Sequence, residues 1–396
     1  MMKTFSVETV VSVLQSVVPA EERRVPLHEP VFEGNEWLYV KECLDTGWVS
    51  SVGKYVDRFE QMLCEYTGVK HAVAVVNGTA ALHICLKLVD VQPGDEVLIP
   101  ALTFVATANA VHYCGAIPHF VDSSQKTLGL DPVKLEQYLQ EIADVRTDGC
   151  WNRQTGRRIK AVVPMHTFGH PVDLDRLVDV CQRYRLELVE DAAESLGSYY
   201  KGKHTGNWGK MSALSFNGNK LVTTGGGGAI LTNDESLGRL AKHLTTTAKV
   251  PHPWAFLHDM VGYNYRLPNI NAALGCAQLE KLPKFIERKR SLVQTYLHAF
   301  EKIEGVQLFT EPSFAESNYW LQVLLLDESY KDHRDELLEA TDRAKIQTRP
   351  VWTPLHRLPM FQQCPRMDVS LAEQLERRII NIPSSPNLEA ANHGEA

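Results

Sequence analysis

The sequence contains a short apolar run that leads to a lysine and four glycines: Ala213-Leu214-Ser215-Phe216-Asn217-Gly218-Asn219-Lys220-Leu221-Val222-Thr223-Thr224, followed directly by Gly225-Gly226-Gly227-Gly228. The run predicts a strand that ends near Ser215, a tight Asn-Gly turn and a loop that presents Lys220. Consecutive glycines are costly to order, so they are expected where the backbone approaches another group closely. A surface lysine before a glycine-rich hairpin is the simpler interpretation, but the rest of the chain favours a functional lysine.

The composition is that of an ordinary soluble globular protein. Its 396 residues exceed what one hydrophobic core usually serves, so we expect two domains or one large domain with a smaller partner. Hydrophobic residues make up 44% of the chain and charged residues 22%. The net charge of -7 argues against a nucleic-acid partner, because proteins that bind nucleic acid usually carry a basic face.

The cysteines are scattered, and their spacing indicates neither a zinc site nor a disulfide framework. They are Cys43, Cys64, Cys85, Cys114, Cys150, Cys181, Cys276 and Cys364. Reduced thiols of this kind predict a cytoplasmic protein. No apolar run approaches the roughly 20 residues that span a bilayer, so no membrane partner is expected.

The N-terminal segment allows two interpretations. Residues 10–18, followed by Pro19-Ala20, loosely resemble a secretory signal with a small-residue cleavage site. However, Gln15 and Ser16 interrupt the apolar run, and one helical face is shared by Val10, Leu14, Val17 and Val18. The pattern favours an amphipathic helix.

From residue 70 onward, short β-rich runs alternate with amphipathic helical runs, which predicts an α/β fold with a mainly parallel sheet covered on both faces. The predicted strands are 72–76, 96–99, 117–121, 159–165, 186–189, 211–216 and 229–232. The predicted helices are 79–89, 107–113, 132–142 and 174–184. A polar segment near 146–158 reads as a weakly structured insertion.

The C-terminal part has a different pattern. A long, mostly helical stretch covers 269–303, and a strand over 320–326 and helices over 334–344 and 371–380 follow it. We therefore expect a large α/β domain over 1–265, and a bridging helix with a small α+β domain over 266–396.

Chemically rich residues follow the predicted strands at their carboxyl ends, where open α/β sheets bind ligands. They are Asn77-Gly78-Thr79, Thr103-Phe104, His166, Glu190-Asp191 and the run from Ser215 to Lys220. Five loops from distant parts of the chain are therefore expected to converge on one crevice.

Three of these loops offer contacts to a phosphate and a flat ring. Gly78 and Thr79 open a helix, whose free N–H groups favour an anion, and Ser215 can add a hydroxyl donor. Phe104 either lies on an aromatic ligand or is an ordinary core aromatic residue. Both interpretations stay open from sequence.

Asp191 ends a strand of leucine and valine, so a carboxylate is buried there unless a cation pairs with it. Strand alternation sends Glu190 and Asp191 to opposite faces. A protonated pyridine nitrogen would suit Asp191. With Lys220 and the phosphate contacts of Gly78, Thr79 and Ser215, this acid completes the protein side of a pyridoxal 5′-phosphate (PLP) site.

The whole chain resembles the DegT/DnrJ/EryC1/StrS family of PLP-dependent sugar aminotransferases, which have fold type I, like aspartate aminotransferase. The motifs that carry the resemblance occur in family order: Gly47-Trp48-Val49-Ser50-Ser51-Val52-Gly53, Asn77-Gly78-Thr79-Ala80-Ala81-Leu82, Pro164-Met165-His166, Glu190-Asp191-Ala192-Ala193-Glu194-Ser195-Leu196-Gly197, Ser215-Phe216 through Lys220, and Gly262-Tyr263-Asn264-Tyr265-Arg266-Leu267. The resemblance implies a large mainly parallel sheet domain with a small C-terminal domain, and a homodimer with shared active sites.

The resemblance also implies roles for individual residues. Lys220 would be the catalytic lysine that bonds to PLP, and Asp191 would pair with the pyridine nitrogen. The other residues implied to contact the cofactor are Gly78, Thr79 and Ser215 at the phosphate, Phe104 on the ring, Glu194 near the ring hydroxyl, and Asn264 from the neighbouring subunit. Two histidines, His166 and His356, match positions on the substrate side.

Two positions depart from the family pattern. Glu194 stands where the family usually has glutamine or histidine. The usual Gly-Glu-Gly-Gly after the lysine reads Gly225-Gly226-Gly227-Gly228 here, so Gly226 replaces an acid. Any acidic role at position 226 is therefore in doubt.

Other ligand classes fit less well. A Walker A loop would need glycine and Ser or Thr where the chain has His204 and Met211. His166 and His170 lack the helix and the acid of a zinc protease, so no metal is expected. Related PLP dehydratases have histidine in place of the lysine, which Lys220 disfavours. A non-catalytic PLP-binding regulator is the alternative of a different class, and the intact lysine and acid disfavour it.

The resemblance implies ping-pong transamination in which L-glutamate donates the amine and a 4-keto sugar nucleotide receives it. Three sequence motifs are most similar to the branch that acts on UDP-4-keto-6-deoxy-N-acetylglucosamine, for bacillosamine- or legionaminic-type sugars of bacterial glycans. They are Trp48-Val49-Ser50-Ser51, the segment around Lys220, and Thr245-Thr246-Thr247-Ala248-Lys249. The alternative is a GDP-4-keto-6-deoxymannose 4-aminotransferase of the perosamine type.

Overall fold

The computed structural model of the protein describes residues 4–18 and 24–388. The helices are α1 Val7–Val17, α2 Glu36–Thr46, α3 Lys54–Thr67, α4 Gly78–Leu88, α5 Val105–Tyr113, α6 Pro132–Ile142, α7 Leu174–Arg183, α8 Glu235–Thr245, α9 Asn269–Phe300, α10 Arg334–Arg343 and α11 Ser370–Arg378. The strands are β1 His71–Val75, β2 Glu96–Pro100, β3 Ile117–Val121, β4 Ala143–Arg146, β5 Gly149–Asn152, β6 Arg158–Val162, β7 Glu187–Asp191, β8 Tyr199–Tyr200, β9 Lys203–His204, β10 Met211–Ser215, β11 Gly228–Thr232, β12 Lys249–Val250, β13 Leu257–His258, β14 Val306–Leu308, β15 Ala315–Glu316, β16 Gln322–Leu326, β17 Arg349–Pro350 and β18 Ile379–Ile382.

The large sheet is mainly parallel, which confirms the predicted fold class. Its strands run in the order β1-β11-β10-β7-β6-β2-β3. From β10 to β3 the neighbours are parallel, whereas β11 is antiparallel to both β10 and β1. In β2, Val97 and Ile99 pack in one hydrophobic cluster and Leu98 in another. Alternate side chains therefore enter cores on opposite faces of the sheet, as in sheets covered by helices on both sides.

The small sheet has the order β14-β16-β18-β17 and is antiparallel. The long helix α9 leads into it along the chain. Helix α1 confirms the predicted amphipathic helix, with Val10 and Leu14 fully buried. These residues share a cluster with Tyr296 and Leu324, so α1 packs with the C-terminal sheet although it belongs to the N-terminal part of the chain. Pro19-Ala20 lies outside the described residues.

Two segments differ from the sequence predictions. The insertion at 146–158 contains β5, which is antiparallel to β4 just before it and also pairs with β6 through Cys150 and Ile159. Cys150 is buried, so this hairpin has an apolar anchor that its polar composition hides. The predicted helix over 371–380 ends at Arg378, and the chain enters β18 because buried Ile379 and Ile380 pair with β16.

The structure also bears on disulfides, membrane-spanning helices and metal sites. All eight cysteines are free. Over residues 4–18 and 24–388, no helix is both long and apolar enough to cross a membrane. The same residues contain no group of three or more His, Cys, Asp or Glu side chains placed to hold a metal ion.

Candidate active site

Loops at the carboxyl edge of the large sheet enclose a cavity of about 400 Å³. The predicted site residues that line it are Gly78, Thr79, Phe104, Asp191, Glu194, Ser215 and Lys220. They lie at or beyond the carboxyl ends of β1, β2, β7 and β10, and Met165, beyond the end of β6, also lines the cavity. The structure thus brings together the five loops that the strand-end argument selected.

One end of the cavity suits an anion. The Asn77 side chain caps α4 by accepting a hydrogen bond from the Ala80 N–H at 2.8 Å. Within the described residues, the N–H groups of Gly78 and Thr79 have no acceptor, as expected for a first helical turn. A Cβ atom on Gly78 would lie 3.0 Å from the Ser215 Cβ, so the two loops meet closely. These donors form a cup that fits a phosphate group.

The glycines after Lys220 have different structural reasons. A Cβ atom on Gly228 would lie 2.5 Å from the carbonyl carbon of Asn77 and 2.7 Å from the Gly78 nitrogen. Gly228 therefore allows β11 to pack directly against the phosphate cup. Gly225 has a φ of 78° and favours glycine for that reason. A Cβ atom on Gly226 would meet nothing within 4 Å, so space does not require glycine where the family usually has an acid.

Asp191 lies at the base of the cavity and is 4% exposed. Its Oδ2 accepts a hydrogen bond from the Thr107 hydroxyl at 2.7 Å, and its Oδ1 accepts one from the Ala193 N–H at 3.3 Å. Burial raises the pKa of Asp191, and the bond from Thr107 opposes that shift. Because both recorded donors are neutral, this buried carboxylate favours a cationic ligand atom, and a pyridinium nitrogen fits.

Glu190 faces away from the cavity, as strand alternation predicts. It is fully buried and accepts hydrogen bonds from the backbone N–H groups of Gly206, Trp208 and Gly209 and from His166 Nε2 at 3.0 Å. Burial alone would raise the pKa of Glu190, but the donors, led by His166, outweigh burial and lower it.

His166 does not reach the cavity, in contrast to the predicted substrate contact. Its side chain is fully buried, with Nε2 on Glu190 and Nδ1 accepting the Val172 N–H at 3.3 Å. Both ring nitrogens therefore already have hydrogen-bond partners within the protein. The geometry supports a structural role, because a fully enclosed ring leaves no atom for a sugar.

His356 and Asn264 also lie outside this cavity. His356 is buried, contacts Glu373 Oε1 at 2.9 Å and lines a separate cavity beside α11, so the predicted sugar contact is not matched within this chain. Asn264 is exposed and forms a β-bridge with Thr246. An exposed position agrees with the expectation that Asn264 serves a neighbouring subunit, which stays a prediction.

Lys220 projects into the cavity with its side chain 14% exposed. Its Nζ lies 3.4 Å from Glu194 Oε1 and 3.8 Å from the centroid of the Trp320 ring. Glu194 Oε2 accepts the Phe168 N–H at 2.8 Å. Burial raises the pKa of Glu194 to about 7, although the charge of Lys220 opposes the shift. A lysine and a titratable acid therefore face each other in the cavity.

Sequence reasoning missed some residues of this site. Thr107 orients Asp191, and its hydroxyl also lies 3.0 Å from that of Thr103. The available signal was the position of Thr107 at the start of a predicted helix that follows a strand end, where open α/β sheets bind ligands. Trp320 and Trp352 line the cavity from the C-terminal part of the chain, and no local pattern marks them as site residues.

The residues present fit PLP. The cup at Gly78, Thr79 and Ser215 suits its phosphate, the buried Asp191 suits its ring nitrogen, and Lys220 Nζ suits its carbonyl group. Phe104 lines the same cavity and is 52% exposed, so its ring is free to cover a flat ligand. PLP itself supplies an electron-accepting ring and a carbonyl carbon that reacts with amines.

Comparison with known proteins identifies the same chemistry. The family model of the DegT/DnrJ/EryC1/StrS aminotransferase family matches residues 31–394. The chain is 38% identical to a GDP-perosamine synthase from Escherichia coli O157:H7, over 92% of this chain and 94% of that protein. It is 36% identical to a GDP-perosamine synthase from Caulobacter vibrioides, over 93% of this chain and 95% of that protein.

Solved structures share the fold. DesI, solved with its TDP-sugar product, has a TM-score of 0.81 and 26% identity, covering 92% of this chain and 89% of that chain. Spr1654 from Streptococcus pneumoniae, solved in its PLP form, has a TM-score of 0.82 and 24% identity, covering 91% and 93%. The chain belongs to the DegT/DnrJ/EryC1/StrS aminotransferase family and is a PLP-dependent sugar-nucleotide aminotransferase.

Proposed function

We propose that this protein transfers the amino group of L-glutamate to the 4-keto group of a sugar nucleotide, with Lys220 as its catalytic lysine. The observation that carries the proposal is the cavity that places Lys220 Nζ together with the buried Asp191 and the anion cup at α4. A protein that only bound PLP would need the cup and the acid but would have no use for the lysine.

Each group of residues in the cavity has a separate role in this proposal. Asp191 would keep the cofactor nitrogen protonated, while Gly78, Thr79 and Ser215 would hold the phosphate. Lys220 would carry a proton on Nζ from the donor's carbon atom in the first half-reaction and return one in the second. Positioned acid–base catalysis of this kind contributes roughly 10²–10⁴-fold. Trp320 covers Nζ and limits access of water to it.

For the sugar we propose GDP-linked 4-keto-6-deoxymannose first. The support is that relatives matching over more than nine-tenths of the chain are named GDP-perosamine synthases. The sequence motifs give the opposite ranking of the two substrates, because they favour a UDP-linked 4-keto-6-deoxy-N-acetylhexosamine. The UDP-linked sugar is the second candidate because of those motifs, with Trp48-Val49-Ser50-Ser51 among them.

A panel of nucleotide sugars tests the proposal. The purified protein is incubated with PLP, isotopically labelled glutamate and each 4-keto sugar nucleotide, and the products are identified by mass. We expect the label in the GDP-linked amino sugar, with the UDP-linked sugar converted more slowly and the Lys220→Ala variant inactive.

Preference for the UDP-linked sugar would instead support the second candidate. If neither sugar receives the label although borohydride fixes PLP on the Lys220 peptide, the proposed substrate class is wrong. If borohydride labels another lysine, the assignment of Lys220 is wrong.

A further inference from the structure

The surroundings of Lys220 assign Glu194 a task beyond contacting the cofactor. We propose that Glu194 accepts the proton of the Lys220 ammonium group and later returns it, so that Nζ carries a free electron pair when it bonds to a carbonyl carbon. This inference rests on the proposed role of Lys220.

Glu194 is held in the orientation that this transfer needs. Its Oε2 accepts the Phe168 N–H at 2.8 Å, which leaves Oε1 directed at Lys220 Nζ at 3.4 Å. Its backbone carbonyl accepts the Asn318 Nδ2 at 2.9 Å, and the residue is 5% exposed. Both the backbone and the side chain are thus fixed, so the carboxyl group cannot easily turn away from the lysine.

An aromatic ring is a second close neighbour of Nζ. The Trp320 ring lies 3.8 Å from Nζ, and its Nε1 donates a hydrogen bond to the Asn219 carbonyl at 2.8 Å. Among residues 4–18 and 24–388, Glu194 is the carboxylate found within ion-pair distance of Lys220. The nearest proton acceptor for Nζ is therefore this acid rather than another side chain.

The charged groups around the pair are compatible with the transfer. The charge of Asp191 adds to burial in raising the pKa of Glu194, and Lys220 lowers it. His28 lies near Lys220 and Lys289, and burial together with both lysines lowers the pKa of His28 well below its usual value, which favours a neutral ring. His166 pairs with Glu190 on the other face of β7. Because burial raises the pKa of Glu194 to about 7, its carboxyl group can hold a proton near neutral pH.

The step balances within the pair. An N–H bond of the Lys220 ammonium breaks as an O–H bond forms on Glu194 Oε1, so an ion pair becomes an amine and a carboxylic acid with no change in total charge. Because both side chains are largely buried, the neutral pair avoids the desolvation cost of two charges. The amine nitrogen can then bond to a carbonyl carbon, whose oxygen leaves as water.

The rate at which PLP-free protein takes up PLP tests the transfer without measuring transamination. Wild type, Glu194→Gln and the control Glu187→Gln are mixed with PLP from pH 5.5 to pH 9, and covalent attachment is followed by visible absorbance. Nα-acetyl-lysine measured in parallel reports the ionisation of PLP itself. Glu187 is a matched control because it pairs with Lys210 at 3.1 Å on the surface, away from the cavity.

For wild type and for Glu187→Gln, we expect a rate that rises to a plateau through an acid limb near pH 7, where Glu194 ionises. For Glu194→Gln, we expect attachment at pH 7 to be slower by roughly 10²-fold, a size typical of lost acid–base catalysis. Its rate should keep rising with pH without that limb, because solvent must then remove the proton.

An acid limb and a rate that are unchanged in Glu194→Gln would overturn the inference. If Glu194→Gln does not fold by circular dichroism, Glu194→Asp replaces it: a retained limb supports the inference, and loss of the limb contradicts it. Mapping of the borohydride-fixed peptide separates the two proposals, since attachment to a lysine other than Lys220 removes the proposed function as well as the transfer.

Discussion

At the level of single residues, two adjacent carboxylates have opposite roles because of their neighbours. Glu190 is saturated by the N–H groups of residues 206, 208 and 209 and by His166, whereas Asp191 accepts from Thr107 and from one backbone N–H. A carboxylate that is already saturated has little capacity for a ligand. Asp191 keeps that capacity and faces the cavity.

Thr107 is expected to support cofactor binding through Asp191. Replacing Thr107 by the isosteric valine removes a hydrogen bond to a buried carboxylate, a loss of about 1–3 kcal/mol. We expect PLP to bind roughly 5- to 150-fold more weakly to Thr107→Val, since tenfold corresponds to about 1.4 kcal/mol. Thr107→Ser, which keeps the hydroxyl, should bind nearly as wild type. Titration of PLP-free protein by tryptophan fluorescence measures this, and equal affinity of both variants would contradict it.

Glu194 is expected to make stability depend on pH. Burial raises its folded pKa to about 7 from 4.5, so between these values the folded protein keeps a proton that the unfolded chain has lost. Wild-type stability should therefore fall as pH rises through this window and level off above it. As pH rises from 4.5 to 8, the free energy of unfolding of Glu194→Gln should increase relative to that of wild type by on the order of 1–3 kcal/mol.

Thermal denaturation of PLP-free protein at pH 5 and pH 8 measures that gain, at one protein concentration because association would shift the midpoint. Glu187→Gln serves as the control and should keep a constant offset from wild type. A constant offset for Glu194→Gln as well would show that Glu194 titrates at its ordinary value.

At the level of elements, the contact between β11 and the turn before α4 shapes the phosphate cup. Replacing Gly228 by alanine puts a methyl group 2.5–2.7 Å from backbone atoms of Asn77 and Gly78, which cannot move without shifting the cup. Such overpacking costs about 1–3 kcal/mol. We expect Gly228→Ala to lower both the melting temperature and PLP affinity.

Gly226→Ala is the matched control, because its methyl group meets nothing within 4 Å. It should keep wild-type melting temperature and PLP affinity. Comparable damage in both variants would mean that chain flexibility, rather than close packing at position 228, explains the glycine run.

At the level of the whole molecule, exposed apolar side chains occur on the segment just before Asn264. Trp254, Phe256 and Val261 are each more than 80% exposed, on the segment that precedes Asn264 in the chain. Large exposed apolar groups of this kind often mark protein interfaces. They agree with the expected homodimer, in which Asn264 would reach the partner's phosphate site.

Mixing of variants tests that arrangement. Asn264→Ala and Lys220→Ala proteins should each show reduced activity, because each impairs every site of its own homodimer. After subunit exchange, each mixed dimer should contain one intact site, so about a quarter of the sites should recover with random pairing. Differently tagged chains confirm exchange, and exchange without recovery would place Asn264 outside a shared site.

Local pattern was sufficient to predict the alternating strands and helices, the amphipathic α1 and the residues that follow each strand. Periodicity and strand-end chemistry depend on a few neighbouring residues, so they can be read along the chain. Gly78, Asp191 and Lys220 were therefore predicted as site residues from the sequence, and the structure places them in one cavity at the end of the parallel strands.

The partners of these residues depended on contacts between distant segments. Trp320 reaches Lys220 across 100 positions of the chain, and Glu190 takes the ring of His166 away from the cavity. The burial of β18 ends the preceding helix early, because its isoleucines complete the small sheet. A local pattern marks which side chains are apolar or reactive, but three-dimensional packing decides which donor, ring or strand each one meets.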